Sequence, residues 1–325
     1  MKFVILVLLN AVLGTNAWAP SLNSERAVSN TALNLVSTMQ ESVDIYKKPE
    51  RVVLDELPTL YVYDHCPFCV RVRVVFGLKN IKHNLYFMAN DDVQTPSDLV
   101  GKKIAPIFVS HSFVDKFKGR FLLFPILTLC FFLLVLKKFP EADVTMPESM
   151  DIIKLVDSDE RFGPTDVIKP ASGRTDLKEW QKSVQSLLRT LQRPRYVATG
   201  LIPEFQQLDA RHAFIKNHQL PPYDKPEWRE ELPMEEKLKI YADAMASDPA
   251  PLVEELNAKL VELDDKVFSE HYCTEGGLSL DDIDLWARLR SITIIEGVQW
   301  PEGLRRYMDN LSELADIPLY DEMAM

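Results

Sequence analysis

At 325 residues, 46% hydrophobic and 26% charged, the chain has room for one large or two ordinary globular domains. A formal net charge of −11 argues against a nucleic-acid partner, which would call for a basic face. Four cysteines with a single closely spaced pair exclude a disulfide-stapled scaffold.

The first element is an address. Lys2 and the apolar run Phe3 to Leu9 form a charged start and a hydrophobic stretch too short to span a bilayer. Thr15-Asn16-Ala17 offers small residues for cleavage before Trp18, so residues 1–17 read as a signal peptide. From Trp18 to Thr38 there are six hydroxyl residues but one acid, Glu25, and one base, Arg26. That hydroxyl-rich, acid-poor character marks a transit peptide, with its linker, over 18–50. The junction Ala17-Trp18-Ala19-Pro20 resembles the bipartite presequences of algae with complex plastids. The expected destination is a plastid, the alternative being the secretory pathway.

The next pattern predicts a strand over 59–63, an amphipathic helix over 67–79 and a strand over 84–89, a β-α-β unit of thioredoxin-like size. Asn90-Asp91-Asp92 and Thr95-Pro96 turn the chain into a short helix ending at Gly101, and 104–108 forms a strand. Pro106 stands near its start, where a cis X-Pro bond would sit. Met146-Pro147-Glu148-Ser149 begins another helix, its apolar face set by Met150, Ile153 and Val156 or Asp157. The order is β-α-β-α-β-β-α over 58–160.

Cys66-Pro67-Phe68-Cys69 lies on the turn from the first strand into the first helix. Two thiols separated by two residues can close and reopen a disulfide. Cys66 falls where a helix N-cap would be, facing unpaired N–H groups and the positive end of the helix dipole, which stabilise a thiolate. Pro67 suits the first helical position. A zinc site would need a second pair of ligands at short spacing, and Cys130 and Cys273 stand alone. Arg71 and Arg73 read as a solvated helix face, His65 as a group able to tune the thiolate though no imidazole base is needed, and Cys273 as a bystander.

Residues 110–136 break the pattern where a tight hairpin is expected. Phe121 to Leu136 is apolar but short for a membrane span, and Pro125 weakens it further. An unspliced intron read in frame explains the insert better than a genuine loop or a membrane contact, which is not expected. From 172 to 325 the pattern is helical throughout: Trp180, Val184, Leu187, Leu188 and Leu191 recur at helical spacing, as do Val253, Leu256, Leu260, Leu263 and Val267. Ser279 and Asp282 form a capping box ahead of Leu285, Trp286, Leu289 and Ile292. The acids near 229–236 and 281–284 read as surface or capping charges.

A thioredoxin-fold domain with this motif, followed by an all-helical domain, resembles the glutathione-transferase-shaped glutaredoxins of the glutaredoxin 2 family. The likeness rests on Leu60 to Cys69 continuing through Phe76-Gly77-Leu78-Lys79-Asn80-Ile81, on Asn90-Asp91-Asp92, on Met146 to Ile152, on Gly276 to Leu289 and on the ending Met323-Ala324-Met325. Phe68 replaces a commoner tyrosine and Ala105 a commoner valine; neither change removes a reacting group. The resemblance implies an enzyme that uses glutathione as co-substrate, with no metal, to reduce mixed disulfides on proteins. Cys66 and Cys69 would be catalytic; Phe68, Ala105, Pro106, Glu148 and Ser149 would bind glutathione, Ser149 and the helix N-terminus taking its γ-glutamyl carboxylate and Glu148 its ammonium. Other activities of the fold are a glutathione transferase or dehydroascorbate reductase, and an iron–sulfur cluster held by Cys66 and glutathione between two chains. Cys69, a second thiol those enzymes do not need, favours the glutaredoxin. The expected partners are glutathione and glutathionylated or disulfide-containing proteins, with the chain a monomer.

Overall fold

The computed structural model describes residues 45–110 and 144–325. The presequence up to residue 44 lies outside them, as does the apolar insert except Ser110, which ends a strand. Seven elements come first: β1 (Thr59–Val62), α1 (Pro67–Leu78), β2 (Asn84–Phe87), α2 (Gln94–Val100), β3 (Ile107–Ser110), β4 (Val144–Pro147) and α3 (Ser149–Ser158). The sheet runs β2-β1-β3-β4, with β2 parallel to β1 and the other pairs antiparallel. This is the expected β-α-β-α-β-β-α order of a thioredoxin fold. Leu60 and Val62 alternate inward from β1, and Gly101, at a φ of 75°, closes α2 in the left-handed conformation glycine tolerates. The third strand begins at Ile107, after the proline, which has no N–H to give a ladder.

Seven helices follow: α4 (Asp176–Ser183), α5 (Gln185–Thr199), α6 (Leu208–Asn217), α7 (Met234–Ala246), α8 (Ala250–Asp264), α9 (Leu280–Leu289) and α10 (Glu302–Ala315). Both parts belong to one compact unit, Tyr46–Met325. The stripe from Trp180 to Leu191 is buried except for Leu188, but the chain breaks between α4 and α5 at Val184, so two helices share it. Ser279 caps α9 as expected, its N–H and hydroxyl both donating to Asp282.

The first helix differs from expectation in a way that matters for the site. Far from amphipathic, α1 is buried from Cys69 to Leu78 except for the half-buried Arg71, because α3, α9 and α10 pack around it in addition to the sheet. A helix enclosed on all sides needs no polar face. Its two inward charges are paired. Lys79, fully buried, reaches the Pro164 carbonyl at 2.5 Å and Asp157 at 3.5 Å, while Arg73 pairs with Asp64. Gly77, which reads as a helix-end signal, serves a different purpose: a Cβ there would sit 1.8 Å from the carbonyl oxygen of Ala315. Only glycine lets the end of α10 approach so closely. In α3 the buried face is Ile152, Ile153, Val156 and Asp157, and Met150 is exposed. Among the described residues no helix is long and apolar enough to cross a membrane.

Candidate active site

The chain leaves β1 through Tyr63-Asp64-His65 and enters α1 at Cys66, which is its N-cap (φ −78°, ψ 118°), with Pro67 as the first helical residue. Cys66 is half-buried and Cys69, one turn on, is fully buried; both are free thiols. The thiol of Cys69 donates to Cys66 and, with the electrostatic influence of His65 and the N–H groups of Cys69 and Phe68, outweighs burial and lowers the Cys66 pKa to about 6. Burial and that same hydrogen bond push Cys69 the other way, well above an ordinary thiol, although the Tyr63 N–H donates to its sulfur at 3.3 Å. Adjacent thiols with opposed acidities suit one nucleophile and one resolving group.

Asp64 and His65, the two residues before Cys66, are held from the helical half. His65 donates its N–H to Glu204 Oε1 at 2.9 Å, and its Nδ1 lies 2.5 Å from the same oxygen. Glu204 sits in a short turn, Pro203–Phe205, and is fully buried, its Oε2 without a hydrogen-bond partner among the described residues. The rings of Tyr196, Phe205 and Phe214 stand 5.0–5.2 Å from the imidazole. Asp64 accepts from Arg73, from Arg290 Nη2 at 3.1 Å and from the Tyr320 hydroxyl at 2.7 Å. Burial would raise its pKa, but Arg290 and Arg73 hold the carboxyl well below the usual carboxylate range. Neither Glu204 nor the Arg290–Tyr320 pair carries a signal in the sequence that ties it to residues more than a hundred positions away.

The remaining expected residues gather at the same end of the sheet. Tyr61 pairs with Ile107, so carrying the register on sets Pro106 abreast of Val62 and Ala105 abreast of Tyr63. Ile107 also pairs with Pro147, which brings Glu148 and the start of α3 to the same end of the sheet. The Ala105–Pro106 bond is cis, as expected. Ser149 is the buried first residue of α3. Glu148, exposed and 3.7 Å from Lys102, holds a φ of 73° and ψ of 115°, a conformation costly for a residue with a side chain.

Cys66 and Phe68 face a different space, a cleft of about 400 Å³ between the two halves; Ala105, Pro106, Glu148 and Ser149 do not line it. Phe68 is 47% exposed, with the Arg71 guanidinium 5.0 Å over its ring. Arg71 and Arg73 are not the solvated face expected of them. Arg71 pairs with Asp284 on α9, and Arg73 with Asp64. Among the acids at 281–284, Asp282 is a capping charge as expected, fully buried where it caps α9. Cys273 is buried, and burial raises its pKa, as befits an inert thiol. No group of three His, Cys, Asp or Glu side chains among the described residues is placed to hold a metal ion.

Residues 176–324 match the family model described as "Glutaredoxin 2, C terminal domain". Glutaredoxin 2 of Escherichia coli K12 is 32% identical over 267 residues, which cover 82% of this chain and 99% of that protein. The crystal structure of glutaredoxin 2 from Salmonella typhimurium in complex with glutathione matches with a TM-score of 0.60 at 28% identity, over 83% of this chain and all of that one. The two-part architecture, a thioredoxin-fold domain followed by an all-helical one, is therefore shared along with the sequence. On that identity and coverage, the chain belongs to the glutaredoxin 2 family.

Proposed function

We propose that the chain is a glutathione-dependent thiol–disulfide oxidoreductase that reduces mixed disulfides between glutathione and protein thiols. The observation that carries this reading is the pairing of a low-pKa Cys66 at a helix N-cap with a buried, high-pKa Cys69. The Cys66 thiolate attacks the glutathionyl sulfur of the mixed disulfide. The old S–S bond breaks, a Cys66–glutathione disulfide forms, and the protein thiolate departs and takes up a proton. A second glutathione thiolate then attacks the glutathionyl sulfur, giving oxidised glutathione and returning Cys66 as thiolate. Alternatively Cys69 loses its proton and displaces glutathione, closing the internal disulfide, which two further glutathiones reopen. The low pKa favours Cys66 both as attacking group at neutral pH and as leaving group. The test is turnover of a small glutathionyl mixed disulfide with glutathione as reductant; no turnover refutes the activity.

Glutathione itself is assigned to the end of the sheet. Its backbone would run along Ala105 and Pro106 beside Phe68, and its γ-glutamyl end would meet Glu148 and Ser149. The convergence of β1, β3 and β4 there and the strained Glu148 support this placement. Ser149→Ala and Glu148→Gln each remove a charge-assisted hydrogen bond, worth ~1.5–3 kcal/mol, without touching sulfur. Each should raise the KM for glutathione about tenfold or more while lowering kcat less. An unchanged KM in both would place glutathione elsewhere.

Residues 1–50 are proposed to deliver the chain to a plastid, on the strength of the hydrophobic start joined to a hydroxyl-rich, acid-poor stretch. A fluorescent protein fused behind these residues should accumulate in plastids of an alga with complex plastids. Retention in the secretory pathway would reject the assignment.

A further inference from the structure

The cleft beside Cys66 has a charge pattern at odds with the rest of the molecule. The chain carries 48 acidic against 37 basic residues. Yet the charged residues lining this space are Arg189, Arg193 and Arg288, with no Asp or Glu, while burial pushes the pKa of the lining His218 down to about 3 and so leaves it neutral. The two acids nearest in chemistry are already engaged: Glu204 holds His65, and Asp284 pairs with both Arg71 and Arg288. One carboxylate shared by two guanidinium groups leaves a positive surplus. Arg189 has no ion pair or side-chain hydrogen bond among the described residues, and Arg193 spends one nitrogen on the Gln219 carbonyl.

Those last two arginines stand one turn apart on α5, a spacing at which like charges repel. The structure tolerates this repulsion while leaving Arg189 half-buried, with no acidic partner among the described residues. Around the cations are amide and aromatic groups suited to peptide: Gln181, Gln185 and Gln192, the last fixed by a 2.7 Å bond to Ser291, and Trp180 and Tyr196. The volume, about 400 Å³, holds a few residues and not a folded surface.

From this we infer that the cleft is a subsite for a carboxylate-bearing peptide: the acidic segment flanking the glutathionylated cysteine of the protein substrate. The inference rests on the proposed oxidoreductase activity and adds a preference to it. Cys66 and Phe68 face the cleft on one side, and Ala105, Pro106, Glu148 and Ser149 lie outside it, so the peptide thiol displaced from the glutathionyl sulfur and the glutathione that stays on Cys66 occupy separate places. Acidic side chains near the leaving thiol would then meet Arg189 and Arg193, orienting the disulfide and raising the rate of encounter.

Two synthetic peptides settle this, identical but for Glu-Glu or Lys-Lys beside one glutathionylated cysteine, assayed with the full chain alongside a small glutathionyl mixed disulfide. The acidic peptide should exceed the basic one in kcat/KM by about tenfold or more, the scale of one charge-assisted hydrogen bond, and the gap should narrow as salt rises. With Arg189→Gln and Arg193→Gln, the acidic peptide should lose several-fold more than the small disulfide. Equal rates for both peptides overturn the inference while leaving the activity intact. A rise in glutathione KM in the arginine variants, with peptide preference unchanged, assigns the cleft to glutathione carboxylates and likewise overturns it. Turnover of none of the three substrates refutes the oxidoreductase itself. Because the peptide comparison uses the unaltered protein, it stands even if an arginine variant folds poorly.

Discussion

Replacing Cys66 by serine should abolish glutathione-dependent turnover, whereas Cys69→Ser should retain reduction of glutathionyl mixed disulfides. The asymmetry follows from position. Cys66 caps the helix, half-buried beside the cleft, with its pKa lowered to about 6 by the Cys69 thiol, by His65 and by two backbone N–H groups. At pH 7 such a thiol is about 90% ionised, against about 3% for a free cysteine of pKa near 8.5. Cys69 is sealed inside α1 and pushed the other way by burial. A serine hydroxyl at 69 can still donate to the Cys66 sulfur, whereas Cys69→Ala removes the hydrogen bond that contributes most to its acidity, so Cys69→Ala should retain the reaction but shift its pH profile upward. Iodoacetamide labelling against pH reads both effects. Cys66 should be the first thiol alkylated, half-maximally near pH 6 in the unaltered chain and higher in Cys69→Ala. Earlier labelling of Cys69 or Cys273 would reverse the assignment.

Asp64→Ala should cost about 3–5 kcal/mol of stability, because it strands buried guanidinium groups that have lost their counter-charge. Arg290 is 2% exposed and Arg73 6%, and both converge on this carboxylate with the Tyr320 hydroxyl. The link joins the turn before Cys66 to the chain after α9 and to the C-terminal segment, so its loss loosens the two halves against each other. The effect carries a pH signature. The folded pKa of Asp64 lies below its ordinary value of 3.8, so its contribution is full above that value and drains as pH falls through and below it. Urea unfolding from about pH 5 downward should show the parent chain losing stability faster than the variant. Parallel loss in the two proteins would remove Asp64 from the account.

The local part of this site was legible in the sequence. A strand, a Cys-Pro-Phe-Cys turn and a helix suffice to put Cys66 at an N-cap, and a proline before a strand marks a cis bond, because both depend on neighbours a few residues away. Residues whose roles depend on the other half were not. Arg71 and Arg73 follow the motif at a spacing that suits a wet helix face, and only the packing of α9 and α10 over α1 turns them inward. Gly77 looks like a helix-end signal until Ala315 is seen against it. Glu204 is one acid among many in the sequence. It becomes a partner of His65 because a short turn 139 residues away is folded under the active-site loop. Burial of polar groups is the common thread: a pattern of apolar spacing reports where a face is dry, and a charged residue buried by pairing breaks that pattern.

The central claim is that Cys66 takes the glutathionyl group and lets the protein thiol go. Mass spectrometry of the Cys69→Ser variant, mixed with a glutathionylated peptide and no free glutathione, tests it directly. The account predicts a single adduct with the mass of glutathione on Cys66 and stoichiometric release of reduced peptide. An adduct of the peptide itself on Cys66, or glutathione on Cys273, would contradict it.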